Sequence, residues 1–514
     1  MAKKLRTKKQ YPEDFRTIYG FSTLGWVNAF GLYLVALLMQ YLTDFSGIDE
    51  ILGKVGYAAS FGTALLLVAR IVDIVDDPLQ AWLMDNWKES PFGKYRKFGI
   101  LGISLLTVTG IFMFNIPVAV KGNVVALTIW LGAAYLIYEV GQAYYVTTPL
   151  LQKITYNARI RTKISQFIRI FLIVAIIPSV FFVPIVTVVG ERIGDMGRAF
   201  SLTAAVLALF MGVVSLIGIL CVKEPYRPEE SAEKVKTEKK EMRINFSDIV
   251  KMFRGNKPLL IHAVAIFTCN LVAALLNVIA IYFIKWYYCA DVSTGVVDLT
   301  KYAGVYSIFA ALALLPNIIT PFFAGKLIKK AKSYANATRI CMIFATGAAA
   351  LIAVTFFTGI LKLSPFIFIA LNFTMTIPLG LAVIPQTLLW IECADYAEYK
   401  SGKNMTALVN SAAAVINKAQ NALGGVIVGG ILIVAGYSVN ATTGDYAGDL
   451  ATLPNMIFSV GLATTLIPVI VLAISWGLYK FFYPITPEKA EEMRKALEEK
   501  RAIMEENASA HIAE

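Results

Sequence analysis

Long apolar runs recur along the whole chain, and they constrain its fold more than any other feature. Each run is roughly 20 residues or longer, which is enough for a helix to cross a hydrocarbon layer about 30 Å thick. Of the 514 residues, 57% are hydrophobic and only 16% are charged, and the mean hydropathy is +0.64. A soluble core cannot absorb that much apolar surface. The sequence therefore predicts an all-α membrane protein.

The apolar runs number about twelve and form two groups of six. The first group covers 19–43, 55–85, 98–120, 124–149, 165–190 and 199–222. The second group covers 259–287, 303–328, 338–359, 365–391, 405–436 and 455–482. Between them lies the polar stretch KEPYRPEESAEKVKTEKKEMR, which is too charged to enter a bilayer and predicts a partly flexible connector.

These runs predict two six-helix bundles with polar segments around them. The segments are a cytoplasmic amino-terminal tail (1–18), a first bundle (19–222), a cytoplasmic central loop (223–258), a second bundle (259–482) and a cytoplasmic carboxy-terminal helix or tail (483–514). Thr486 can cap a helix that has Pro487 at its first position and Glu488 in its first turn. The charges that follow favour a solvated, frayed helix over a regulatory partner site.

Lysine and arginine are concentrated in alternate loops, beginning with the terminal MAKKLRTKKQ. Such loops face the cytoplasm, so both termini are predicted to lie inside a cell membrane. The same loops account for the net charge of +12, and no nucleic-acid partner is expected. The five scattered cysteines form no metal-binding or disulfide pattern.

The stretch VARIVDIVDDPLQAWLMD places acidic residues inside the second predicted span. Asp73, Asp76 and Asp77 fall within one arc of about 100° on a helix, and Arg70 lies one turn earlier. These groups could form a charge network that joins helices. Acids within a membrane more often mark an ion path, which favours a cation or proton site.

Further polar residues interrupt other spans at comparable depth. They are Glu139, Gln142, Arg169, Asn277, Asn417, Lys418, Gln420 and Asn421. A carrier built from two bundles binds its substrate near the membrane midplane, where acids of one half and Lys418 of the other could meet. The single asparagines could instead simply hydrogen-bond neighbouring helices.

Four stretches resemble the glycoside–pentoside–hexuronide:cation symporters, a branch of the major facilitator superfamily, in order along essentially the whole chain. They are YGFSTLGWVNAFGLYLVALLMQYLTD in the first helix, RIVDIVDDPLQAWLMD with SPFGKYRKF in the second helix and its following loop, KITYNARIRTKIS after the fourth helix, and DYAEYKSG as a loop after the tenth. The resemblance implies the major facilitator fold and cation-coupled import of a sugar or glycoside by alternating access. It implies no enzymatic activity and no cofactor besides a coupling ion, H⁺ or Na⁺, and we expect a monomer to be the functional unit.

The resemblance also assigns roles to individual residues. The cation-binding acids fall on Asp73, Asp76 and Asp77. The substrate-binding positions fall on Asn28, Glu139, Tyr144, Thr148, Arg169 and Lys418. A cytoplasmic gate falls on Gly93, Lys94, Arg96, Arg161, Asp395 and Lys400. A second glycine motif, GKLIKKAK from Gly325, stands at the matching loop of the second half.

The chain departs from the family pattern in the first and fourth helices. Tyr144 stands where the family has an aspartate that serves both cation and sugar, Gly141 replaces a threonine ligand, and Thr148 replaces a sugar-stacking tryptophan. A first-helix aspartate falls near Asn28, or on Val27 with a one-residue gap. Sodium needs several oxygen ligands at once, whereas a proton needs only one acid. We therefore expect proton coupling or uncoupled exchange in preference to sodium coupling.

Other classes of protein remain as alternatives. One is an uncoupled sugar facilitator or exchanger, and another is a lipid carrier of the same fold. A membrane-embedded hydrolase is disfavoured, because the chain has only His262 and His511 and contains no HExxH or GxSxG motif. No selectivity filter or pore loop indicates a channel.

Overall fold

The structure, a computed structural model, describes the greater part of the chain. The described residues are 14–54, 56–87, 90–144, 147–154, 164, 167–168, 171–172, 174–179, 181–224, 255–401, 406–493 and 495–497. Within some helices only the backbone is described.

Helices account for nearly all of the described first half. They are α1 (Phe15–Leu24), α2 (Trp26–Gln40), α3 (Ile48–Leu52), α4 (Tyr57–Asn86), α5 (Tyr95–Phe114), α6 (Val118–Lys121), α7 (Val124–Ala143), α8 (Thr147–Ile154), α9 (Phe182–Ile193) and α10 (Met196–Cys221). A π-helical turn, Tyr41–Phe45, extends α2.

The second half is equally helical. Its helices are α11 (Lys257–Tyr288), α12 (Leu299–Ile319), α13 (Pro321–Ala331), α14 (Tyr334–Phe357), α15 (Pro365–Ser401), α16 (Thr406–Val434) and α17 (Leu453–Gly477). A 3₁₀ turn at Ile360–Leu363 precedes α15, and a π-helical turn at Leu478–Phe482 ends α17. Extended pairing in the described part of the chain is limited to one isolated bridge, Val439 with Tyr446. The prediction of an all-α membrane protein is confirmed.

Nine helices within the described ranges are long and apolar enough to cross a membrane. The sequence predicts twelve spans, and the other three coincide with α1–α2, α4 and α16. The first is divided at Gly25, where the backbone leaves helical geometry. The other two are 30 and 29 residues long, and their described side chains include the apolar stretches Tyr57–Ala69 and Leu423–Val434. Both helices are thus long enough to cross a membrane.

Two predicted loops are helical instead. DYAEYKSG lies in α15 up to Ser401, its last described residue, and most of GKLIKKAK lies in α13. Alanine, glutamate and lysine are good helix formers, and neither stretch contains a proline that would stop the helix. The prediction of these two segments as loops is therefore wrong.

The fourth predicted span, 124–149, is interrupted. Helix α7 ends at Ala143 and α8 begins at Thr147. Tyr144, which follows α7, lies in a turn.

The chain divides into two compact units that do not follow the linear halves. The first contains Met1–Met242 together with Asp291–Ala303 and Leu432–Leu453, and the second contains the remainder. Within the first unit, α1 packs closely on α10 because both carry glycine at the crossing. A Cβ on Gly20 would lie only 2.7 Å from the carbonyl oxygen of Gly218, which is the close approach that small residues permit in membranes.

The carboxy-terminal tail packs on the second unit. Residues 487–493 are helical, and the Lys489 backbone N–H donates to Oγ1 of Thr486 over 3.3 Å, so the predicted helix start is confirmed. Met493 is 1% exposed and Leu497 is 5% exposed, and Tyr399 of α15 donates a hydrogen bond to Glu492 over 3.1 Å. The expectation of a solvated, frayed helix is wrong because one face of the helix carries apolar residues that become buried.

Candidate functional site

A small crevice in the first unit brings together two of the predicted substrate-binding residues. Asn28 of α2 and Tyr144, which follows α7, both line it. The complete lining is Leu24, Val27, Asn28, Gly99, Ile103, Leu106, Gly141 and Tyr144. Apolar side chains thus surround one amide and one phenol, which is the usual composition of a small-molecule site.

Asn28 has unused hydrogen-bonding capacity. Its Oδ1 atom is buried and accepts no hydrogen bond from the part of the chain that the structure describes. A buried amide oxygen without a partner costs free energy, so such groups are uncommon unless a water or ligand satisfies them. Helix α2 starts beside the break at Gly25, and the Asn28 backbone N–H donates to the Gly25 carbonyl over 3.1 Å.

Tyr144 is held in place by α5. Its ring lies 5.2 Å from the ring of Phe98, and a Cβ on Gly102 would be 2.8 Å from the Tyr144 Cβ. The absence of a side chain at Gly102 therefore lets the residue after α7 lie directly against α5.

Gly141 lies at the same crossing. A Cβ there would lie 3.0 Å from Cγ of Leu106 and 3.2 Å from the carbonyl oxygen of Gly102. The position that resembles a threonine ligand in the family thus serves helix packing in this chain. It contributes no side-chain oxygen.

A polar contact between α2 and α7 lies one turn from Asn28. Gln142 Nε2 donates to the Tyr138 hydroxyl over 3.1 Å, and both groups lie 2.6 Å from where a Cβ on Gly31 would stand. Tyr138 is 2% exposed. Tyr138 is not among the predicted site residues, although its spacing of four residues from Gln142 places both on one helix face. Glu139, predicted to bind substrate, is also buried on α7.

The charged residues assigned to the cation and substrate sites lie mostly outside the described side chains. Helix α4 carries Asp73, Asp76 and Asp77 on a continuous helical backbone, which confirms only that they can share one arc. Thr148 and Lys418 likewise have a described helical backbone but no described side chain, and Arg169 lies outside the described residues. Their roles remain predictions.

In the second unit, one of the predicted polar residues is buried between helices and two others are exposed. Gln420 is buried, and its Nε2 donates to the Ile266 carbonyl over 3.0 Å. It therefore joins α16 to α11, as expected of an amide that bonds neighbouring helices. Asn277 and Asn417 are instead exposed on these same two helices. The structure thus leaves these two amides accessible to solvent or ligand, and Asn421 has no described side chain.

The loop before α5 packs on the end of α10. The Arg96 backbone N–H donates to Oε2 of Glu224 over 2.8 Å, and Arg96 Nη2 donates to the Leu220 carbonyl over 2.8 Å. Lys94 is 7% exposed. A Cβ on Gly93, whose φ is +102°, would lie 2.5 Å from Oε2 of Glu224. The segment around Gly93 and Arg96 thus contacts an acid just after α10 within the first unit through a backbone N–H, and its role as a gate remains a prediction.

The remaining gate residues lie in the second unit or outside the description. Lys400 Nζ donates to the Gly255 carbonyl over 3.2 Å. Asp395 is half-buried and lines a crevice with Glu392 and Met493 of the tail. Arg161 lies outside the described residues.

His262 serves packing. It is fully buried, its Nδ1 lies 2.8 Å from the Tyr479 hydroxyl, and its ring meets Trp390 edge to face at 4.5 Å.

The described residues contain no group of three or more His, Cys, Asp or Glu side chains that could hold a metal ion. The many apolar helices of spanning length define a multi-pass membrane protein.

The comparisons with known proteins identify the family. The chain belongs to the MFS/sugar transport protein family, whose model matches residues 18–487. The resemblance to glycoside–pentoside–hexuronide:cation symporters is thereby confirmed, and the chain is a transporter and not an enzyme.

Relatives and solved structures agree with this assignment. The chain is 27% identical to the uncharacterized symporter YnaJ of Bacillus subtilis (strain 168), over 91% of this chain and 90% of that protein. It is 24% identical to the isoprimeverose transporter of Lactiplantibacillus pentosus, over 84% and 82%. The crystal structure of a bacterial homolog to the human lysosomal transporter Spinster matches with a TM-score of 0.59 and 13% identity, covering 92% of this chain and 98% of that one. At 13% identity, this likeness shows a shared fold alone.

Proposed function

We propose that this chain imports a sugar or glycoside by cation-coupled symport with alternating access. The observation that carries the proposal is the family match over residues 18–487, because it includes every predicted span and both predicted bundles. The relative named as an isoprimeverose transporter supports a saccharide as the substrate.

The geometry of the first unit supports recognition of a saccharide. Sugars present hydroxyl groups that pair with amides, and apolar ring faces that pack on aromatic side chains. Asn28 offers a buried amide oxygen without a partner in the described structure, and Tyr144 lines the same crevice. Arg169 and Lys418 would add positive charge, which suits an acidic sugar such as a uronide as well as a neutral glycoside.

Protons are the proposed coupling ion. Three carboxylates on one helical arc repel one another, so a proton, a cation or Arg70 must neutralise part of their charge. A sodium site needs several oxygen ligands, and the packing of Gly141 against α5 removes one that the family resemblance would supply. Asp73 and Asp77 are the proposed principal proton carriers, with Asp76 sharing the charge.

The proposed setting is the cell membrane, with both termini in the cytoplasm and a monomer as the functional unit. The alternation of basic and weakly charged loops supports this orientation. Labelling of single cysteines at the two termini in intact and permeabilised cells tests it. Reaction in intact cells with a reagent that does not cross membranes would place that terminus outside.

Transport in proteoliposomes tests the function. A thermal-shift screen with mono- and oligosaccharides, pentosides and uronides first selects a substrate, and an imposed inward proton gradient should then drive its accumulation. Asp73→Asn should abolish accumulation and retain some exchange. Asp298→Asn is the matched control, because Asp298 is exposed and its Oδ1 accepts from the Lys301 backbone N–H over 2.8 Å. Accumulation driven by sodium and not by protons would contradict the proposed coupling.

The two positive residues are tested separately. Arg169→Ala and Lys418→Ala should each abolish transport while the protein remains folded in the membrane. Unchanged uptake by both variants would remove them from the proposed pocket.

A further inference from the structure

Two segments of the second half of the sequence are part of the first unit. They are Asp291–Ala303, between α11 and α12, and Leu432–Leu453, between α16 and α17. The chain enters and leaves both segments through helices of the second unit. Their contacts with the first unit therefore bear on any movement of those helices.

A buried carboxylate holds one of these segments. Asp44, in the π-helical turn that extends α2, is 0% exposed. The Tyr437 hydroxyl donates to its Oδ1 over 2.8 Å, and the Thr43 hydroxyl donates to the same oxygen over 2.8 Å. Hydrogen bonds to a charged acceptor are roughly twice as strong as those between neutral groups. Since Tyr437 is 2% exposed, water does not compete for this bond.

A second buried bond lies one helical turn earlier. Gln40 Nε2 donates to the Tyr302 hydroxyl over 3.1 Å, and the two residues are 1% and 2% exposed. Gln40 and Asp44 are four residues apart and so lie on one face. Two phenols, one from each segment, thus bond to neighbouring side chains at the end of α2.

The two segments are also joined to each other. Asp445 Oδ1 accepts a hydrogen bond from the Val297 backbone N–H over 2.8 Å, and the Tyr446 backbone N–H donates to the Gly295 carbonyl over 2.9 Å. Gly295 has a φ of +73°, and a Cβ there would lie 2.9 Å from Leu450, so this junction requires glycine. These bonds join the two segments to each other. When one phenol loses its hydrogen bond to the end of α2, the hydrogen bond of the other phenol therefore still holds both segments.

We propose that Asp44 and Gln40, with Tyr437 and Tyr302, form a latch that closes the outer end of the transport path. The inference rests on the proposed transport function, and the outer side follows from the scarcity of basic residues in these loops. When the latch opens, the Asp44 carboxylate loses the Tyr437 hydroxyl as a hydrogen-bond donor, so water must replace that donor. The latch therefore opens only where water can enter, which suits a gate between a closed and an outward-open state.

Two solvent-exposed hydrogen bonds also hold these segments, and they contribute less to the stability of the contact. Glu50 Oε1 accepts from the Ala441 backbone N–H over 3.1 Å, and the Thr300 hydroxyl donates to Glu191 over 3.2 Å. Both are solvent-exposed, and bonds of that kind add little. The two buried phenols are therefore the groups to remove.

Cysteine labelling measures the latch without any substrate. In a variant whose five native cysteines are replaced, Ser46→Cys provides a reporter, because Ser46 is 1% exposed beside Asp44. A maleimide that does not cross membranes should label it slowly in the parent. Loss of one charge-assisted hydrogen bond should raise the labelling rate of Tyr437→Phe by about tenfold or more, and Tyr437→Phe with Tyr302→Phe should raise it further.

Tyr446→Phe is the matched control. It lies in the same segment, Leu432–Leu453, and its hydroxyl hydrogen-bonds to the Thr452 hydroxyl over 2.8 Å. Faster labelling of Tyr437→Phe than of Tyr446→Phe, with unchanged thermal unfolding, supports the latch, and equal labelling of the two overturns it. If no sugar is transported but labelling shifts, the substrate assignment fails and the latch stands. If sugar is transported but labelling does not shift, the substrate assignment stands and the latch fails.

Discussion

Gly31 of α2 and Gln142 of α7 lie so close that a Cβ on the glycine would stand 2.6 Å from the amide nitrogen of the glutamine. The same Cβ would stand 2.6 Å from the Tyr138 hydroxyl, and these two side chains are hydrogen-bonded to each other. The missing side chain thus lets two polar groups meet the backbone of α2, one turn from Asn28. This arrangement positions a polar surface inside an otherwise apolar bundle.

Gly31→Ala should disrupt that surface. The added methyl group must displace Gln142 or Tyr138, so we expect substrate affinity to fall by about tenfold or more, equivalent to about 1.4 kcal/mol or more. The measurement is substrate-induced thermal stabilisation at several ligand concentrations. Gly132→Ala on α7 is the control, because a Cβ there meets nothing within 4 Å and alanine favours the helix. Equal affinity of the two variants would contradict a role for the Gly31 contact.

Gly141→Thr tests whether restoring the family residue restores a ligand. The threonine Cβ would lie 3.0 Å from Leu106 Cγ and 3.2 Å from the Gly102 carbonyl oxygen, and overpacking of this kind typically costs about 1–3 kcal/mol. We expect a lower temperature of thermal unfolding in detergent and no sodium-driven accumulation. Sodium dependence in this variant, with unchanged stability, would show that the site can face the acids of α4.

The contrast between Gly141 and Gly25 shows what the sequence could establish and what it could not. Span length and apolar composition predict helices because a bilayer leaves the backbone few other ways to satisfy its hydrogen bonds. The placement of the three α4 acids on one helical arc follows from their spacing in the sequence alone. The break at Gly25, the crossing at Gly141 and the buried Tyr138 depend on which helices are neighbours. Tyrosine is also common in membrane helices without such a role, so Tyr138 carried no separate signal.

The same reasoning explains the errors at helix ends. The family resemblance predicts a loop at DYAEYKSG, and the tenth apolar run, 365–391, ends before these charged residues. Helix α15 nevertheless continues to Ser401, because a helix can extend beyond the membrane when its residues favour helical geometry. The end of an apolar run thus does not mark the end of its helix.

Arg96→Ala should loosen the loop before α5. The guanidinium group donates to the Leu220 carbonyl and lies 4.6 Å from the centre of the Phe92 ring, so its removal eliminates one hydrogen bond and one cation–π contact. We expect reduced transport and faster labelling of a cysteine at Ile103 from the inner side. Lys97→Ala is the control, because Lys97 is exposed. Slower inner labelling in Arg96→Ala would refute a gate at this loop.

Asp49 should make stability depend on pH in the direction opposite to most acids. Burial raises its pKa, partly offset by hydrogen bonds from the backbone N–H groups of Ala58 and Gly56. A raised pKa in the folded state means that the contribution to stability is present below the unfolded value and is lost as the pH rises through the folded value. The parent should therefore gain thermal stability relative to Asp49→Asn as the pH falls from about 7 to about 4.

Asp291 provides the opposite case. Hydrogen bonds from the Ser293 hydroxyl and backbone N–H lower its pKa, so its contribution is present above the unfolded value and is lost as the pH falls through the folded one. The parent should lose stability relative to Asp291→Asn over the same range. Parallel changes for the two aspartates would show that neither local environment controls the titration.

The docked tail should stabilise the second unit. Met493 is 1% exposed, and burial of a methionine side chain contributes about 1.5–3 kcal/mol, so Met493→Asp should detach the tail and lower the temperature of thermal unfolding. Glu491→Gln is the control, because Glu491 is exposed on the opposite face. Proteolysis reports the detachment directly: the bonds around Lys489 and Lys495 should become sensitive to trypsin in Met493→Asp only. Equal sensitivity of the parent and both variants would show that the tail does not stay on the surface that buries Met493, and would make the solvated helix expected from its charges the correct description.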